Sequence, residues 1–130
     1  MQRLRTCRGQ SLVEFALVLP LMVTVMLGIV DFGFVYFVRG SVENAAREGA
    51  RYGSIHPSDV GGITNRVKQT VMGINTSSSD FKVDVSYPDV DPIPANRIRV
   101  TVTYPLVTFW PGPQSGTYDT AATMRIEKEG

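Results

Sequence analysis

Apolar positions along this chain of 130 residues fall into a greasy first third and an alternating remainder. From Leu12 to Val30 there are 19 residues whose only charge is Glu14. Rising 1.5 Å per residue, a helix of that length spans about 28 Å, close to the ~30 Å hydrocarbon layer of a bilayer. The helix is expected to continue. Val35, Val38, Val42, Ala45, Gly49 and Tyr52 follow one another at spacings of three or four, which is one face of a helix. Arg39, Glu43, Arg47 and Arg51 recur every four residues on another face, where acid–base neighbours add a few tenths of a kcal/mol. Gly40 weakens the rod locally, and Gly53 with Pro57 ends it. The predicted long helix is therefore 10–53, with its membrane-spanning part at about 12–30.

The remainder reads as a small α+β unit, 54–130. Val60, Ile63, Val67, Val71 and Ile74 give helical spacing and predict a second helix over Ser58–Met72, with a loop at Asn75–Asp80. Three alternating runs follow: Phe81 to Tyr87, Arg97 to Tyr104, and Ala122 to Glu127. Period-two alternation marks half-buried strands, so an antiparallel sheet of three or four strands is expected, its apolar face on the helices. Prolines 88, 92, 94 and 105 are expected to bound those strands. Only 77 residues follow Gly53, a size at which an isolated core is marginal, so the unit is expected to draw stability from packing on the helix extension. The small residues Ala45, Gly49 and Gly53, with Ala46 and Ala50 beside them, permit close approach of another backbone. Either the unit's own sheet or a helix of a neighbouring subunit fits that ridge.

Charge sets the orientation. Met1–Arg8 carries Arg3, Arg5 and Arg8 and no acid, which holds that end in the cytoplasm and puts the C-terminal part across the membrane. No A-x-A-like site closes the apolar run, so the helix is either an uncleaved anchor or follows a leader cut ahead of it. The formal net charge is +1; Met1–Gly9 holds three of the 13 basic residues and none of the 12 acidic ones, so its removal leaves −2. Such a balance offers no footprint for nucleic acid. Cys7, the single cysteine, lies on the cytoplasmic side, so the outer unit must fold without disulfides.

A basic leader, then Gly9, Gln10 and an acid, Glu14, five residues past the glycine resembles the prepilin peptidase site of type IV pilins. Within that class, GQSLVEFALVLPLM, then LGIVDFG, then AAREGARYG resembles the TadE family of pilin-like proteins from tight-adherence, Flp-type pilus systems. The resemblance covers about Gly9 to Gly53. It implies cleavage between Gly9 and Gln10, a leader of residues 1–9, and an inner-membrane location with a single pass and a surface pilus as a further destination. The partners it implies are the major pilin, related minor pilins, the prepilin peptidase and an inner-membrane assembly platform.

Against that resemblance individual residues carry two readings each. Glu14 sits two residues inside the apolar boundary, where it either snorkels to the interface or pairs with the new α-amine of Gln10 on an adjacent subunit, setting the stagger of assembly. Pro20 cannot donate to the carbonyl of Ala16, so a kink is expected, either merely tolerated or serving as a flexible point. Asp31 marks the outer boundary. Phe109 and Trp110, within Pro105–Gly116, either cap the core beside an edge strand or contact a partner subunit or the membrane surface.

Catalytic chemistry is missing from the sequence. His56 is the only histidine, no cysteine lies outside the leader, and neither G-x-S-x-G nor a phosphate-binding glycine loop occurs. Asp89 and Asp91 share the D-x-D spacing of calcium ligands, but that spacing alone is weak evidence against a plain polar loop. The expectation is a protein that is not an enzyme and needs no cofactor. It is a pilin-like subunit or, alternatively, an uncleaved single-pass anchored binding module.

Overall fold

The computed structural model describes residues 8–88, 96–108 and 114–127. Helix α1 (Arg8–Ile55) has 48 residues, about 72 Å at the standard rise, and passes Pro20 without interruption. It has two halves of different character. No residue from Gly9 to Phe37 is buried; Val38 is the first that is, followed by Val42, Ala45, Ala46, Gly49 and Ala50. The helical spacing read from the sequence marks this second half, and it is here that the rest of the chain packs.

Helix α2 (Val60–Thr70) begins where the Asp59 carboxylate accepts the Gly62 N–H at 2.9 Å, filling one of the donors a helix start leaves open. It is shorter than the predicted Ser58–Met72. Val71 is already extended, and the Met72 N–H donates to Ser41 Oγ at 2.7 Å. Gly73 follows at φ 87°, a left-handed conformation that suits glycine, with the Phe37 ring and Val38 close by. Because Asp59 also meets Tyr52, α2 runs antiparallel to α1, from the Tyr52 level back to the Ser41 level.

Strands β1 (Lys82–Ser86), β2 (Arg97–Thr108) and β3 (Gln114–Arg125) form an antiparallel sheet in the order β1-β2-β3. Alternation sends Ile98, Val100, Val102, Tyr104 and Leu106 inward, all buried, while Arg97 and Arg99 are exposed. Among the described residues the largest fully buried side chains come from α1 (Val38, Val42), α2 (Ile63, Val67) and β2 (Ile98, Val100, Val102). The core is thus a three-way junction to which α1 contributes from Val38 onward.

The small-residue ridge is the seat of that junction. Gly49 lies beneath Val67 and Val100, and Gly53 beneath Ile98 and Ile63. Four helical residues rise about 6 Å and two strand residues about 6.8 Å, so a small residue every fourth position keeps step with every second position of β2. Both the chain's own sheet and its α2 therefore occupy the ridge.

Two strand boundaries differ from the sequence reading. Pro105 does not end β2, which continues to Thr108. The reason is register: the last β1 partner is Lys82 opposite Thr103, so beyond it β2 is itself an edge, where a missing N–H is tolerated. Strand β3 starts at Gln114 rather than near Ala122; its early residues Ser115, Gly116, Thr117 and Thr120 carry no apolar alternation and are held by pairing with Val102 to Thr108 of β2.

Candidate functional site

The feature that sets this chain apart is the uncovered half of α1. Leu12, Leu17, Leu21, Met26, Ile29 and Val30 are all exposed, the most open being Leu17 at 73%. Soluble monomers rarely present apolar patches beyond a few hundred Å², so a rod of this kind requires lipid or other helices around it. By length and composition it is able to cross a membrane, as an anchor or a signal sequence does. Gln10 and Glu14 lie one turn apart on one face of its first described turns. Both are exposed, Gly9 has nothing within 4 Å of where a Cβ would stand, and Glu14 has no side-chain partner among the described residues.

Just past Asp31 comes a girdle that the sequence reading overlooked. Phe32, Phe34, Tyr36 and Phe37 are exposed between the apolar run Leu12–Val30 and the first buried residue, Val38. Aromatic side chains concentrate at the headgroup level of membranes, and their position directly after a 19-residue apolar run is the signal that could have found them.

At the far end of the packed unit the only histidine has a structural setting. The ring of His56 stacks on Tyr52 with centroids 4.8 Å apart, and Tyr52 donates its hydroxyl to Asp59 at 3.0 Å. Tyr87 donates its hydroxyl to the Pro57 carbonyl in the same region. The hydrogen bond from Gly62 N–H, and after it the one from Tyr52, holds the Asp59 carboxyl below its ordinary value, while that same bond to Asp59 pushes the Tyr52 phenol up. These residues cap α2 and tie its start to α1. At the other end of the sheet burial pushes the Tyr104 phenol up, countered in part by the nearby Arg39 cation.

Among the described residues no group of His, Cys, Asp and Glu is placed to hold a metal ion. Asp89 and Asp91, the calcium candidates, and Phe109 and Trp110, the partner-contact candidates, lie outside the described residues.

An apolar helix of membrane-spanning length, continuous with a small α+β unit built on its second half, defines the class: a protein with one candidate membrane-spanning helix and a pilin-like layout. In sequence, the model of the TadE-like proteins matches residues 9–51, the bare rod and most of the covered half of α1. That family is pilus-associated and non-catalytic. No curated protein and no solved structure matches the chain significantly.

Proposed function

We propose that this chain is a minor pilin or pseudopilin-like subunit of a tight-adherence, Flp-type pilus. In this reading the chain inserts with Met1 on the cytoplasmic side, a prepilin peptidase cuts between Gly9 and Gln10, and the bare half of α1 holds the product in the inner membrane until assembly. The observation that carries the reading is the rod itself, with no buried residue in its first half and lying within the stretch matched by the TadE-like model. Glu14 acts as the assembly charge. A carboxylate within the apolar layer costs around 2.5–3.5 kcal/mol when central, and the new α-amine of Gln10 on a neighbouring subunit offsets that cost while fixing the axial stagger. Pro20 gives the rod a point at which to bend as it moves from lipid into helix contacts. The partners are the major pilin, related minor pilins, the peptidase and the inner-membrane platform.

The decisive measurement is the N-terminal residue of the protein recovered from native membranes, read by mass spectrometry. Gln10 is expected in cells with an active peptidase, and Gly9→Val should leave Met1 in place. Glu14→Gln should be cut normally yet fail to enter the assembly. Native protein that keeps Met1 beside a working peptidase would refute the reading in favour of an uncleaved anchored binding module.

A further inference from the structure

Where the packed unit meets the girdle, the structure holds a groove of about 220 Å³ lined by Val35, Arg39, Tyr104, Leu106, Tyr118 and Asp119. At about 30 Å³ per water that is space on the order of seven waters, enough for a polar headgroup and too little for an acyl chain. Arg39 and Asp119 line the groove beside Tyr104, and among the described residues neither forms an ion pair or a side-chain hydrogen bond. The rod fixes what lies below. If Leu12–Val30 fills the hydrocarbon, Val35 stands about 7.5 Å above its edge, the outer limit of a headgroup layer roughly 5–7.5 Å thick. Arg39 is one turn higher, but helical side chains lean toward the N-terminus, so its guanidinium is directed back to the Val35 level. Exposed Tyr36 and Phe37 stand around the same level, with Met72 higher, beside Ser41.

We infer that this groove binds the headgroup of a membrane lipid, a zwitterionic phosphate-plus-amine group of the phosphoethanolamine type, with Arg39 on the phosphate and Asp119 on the ammonium. One cation and one anion on a single groove match a headgroup carrying both charges better than a purely anionic one. The packed unit is thereby seated on the bilayer instead of swinging above it. This inference rests on the membrane reading of the rod, not on pilus assembly.

The test uses the full chain, with Cys7→Ser, in vesicles carrying a trace of lipid with a nitroxide on its headgroup. Single cysteines take a fluorophore at Thr117→Cys, which pairs with Pro105 at the groove end of the sheet, at Ser58→Cys at the opposite end, and at Met22→Cys within the rod. In phosphatidylethanolamine vesicles the Thr117 label should be quenched several-fold more than the Ser58 label, and less so in phosphatidylglycerol or phosphatidylcholine. Arg39→Glu or Asp119→Lys should bring it down to the Ser58 level, and Arg39→Lys should retain it. Equal quenching at Thr117 and Ser58 with the Met22 label still in hydrocarbon overturns the seat and leaves the anchor standing. Quenching that ignores both charge changes, or that follows the protein-to-lipid ratio as a second copy in the groove would make it, also overturns the inference. A water-exposed Met22 label overturns the anchor and the seat together.

Discussion

Gly49→Ala and Gly40→Ala are the same chemical change, nine residues apart on one helix, and should act with opposite sign. At Gly40 nothing lies within 4 Å of a built Cβ, so the substitution gains only helix propensity, about 0.8–1 kcal/mol. At Gly49 the new carbon would stand 2.5 Å from Val67 Cγ2, with Val100 Cγ1 at 3.5 Å. Carbon atoms settle at about 3.5–4 Å, so α1 and α2 must separate by about 1 Å. Val67 has little room to yield: it is fully buried, and a β-branched side chain in a helix is confined to one rotamer. Overpacking of this kind costs about 1–3 kcal/mol, which the same propensity gain offsets only in part. Gly49→Ala should therefore fall below Gly40→Ala by about 1–3 kcal/mol. Amide hydrogen exchange at Val100 and Val102, measured on the full chain in detergent micelles, reports this directly, because those strand amides open only when the junction does. Removing the obstructing methyls with Val67→Ala should be less damaging in the Gly49→Ala background than alone, a coupling of about 0.5–3 kcal/mol. If Gly49→Ala protects β2 as well as Gly40→Ala does, bare backbone is not what lets the helices approach, and the account of the ridge is wrong.

Other outcomes follow from the same geometry. Asp59→Ala should loosen the first turn of α2 while Asp59→Asn, an equally good cap, should largely preserve it, as read by exchange at Ile63 and Thr64. Because the folded state holds the Asp59 carboxyl below its ordinary 3.8, its contribution is complete above that value and fades as pH falls through the folded value; an NMR titration of the carboxyl carbon should show the depression, and stability that rises on acidification in this range would contradict it. Asp59→Asn should also return the Tyr52 phenol toward its ordinary 10.0, followed by ultraviolet titration. Ile63→Ala, at a fully buried position touching both glycines, should lose about 2–5 kcal/mol, and a loss under about 1 kcal/mol would mean the junction closes around the gap.

The sequence alone determined what needs only local information. An uninterrupted apolar run sets a spanning length, the change to three-and-four spacing at Val35 marks where α1 becomes amphipathic, and alternation from Ile98 to Tyr104 names the buried face of β2. The order of Gly9, Gln10 and Glu14 likewise carried the family resemblance before any coordinates. The tertiary structure decided matters that depend on which element lies beside which. Pro105 reads as a strand end until register shows β1 stopping opposite Thr103, and Gln114–Ala121 shows no apolar alternation to mark it as the strand that its pairing with β2 makes it. Gly49 and Gly53 signal close approach without saying to what; only packing shows Val67, Ile63 and β2 above them. Arg39 and Asp119, 80 positions apart, share a groove because β3 folds back along α1, a long-range pairing that no window along the chain contains.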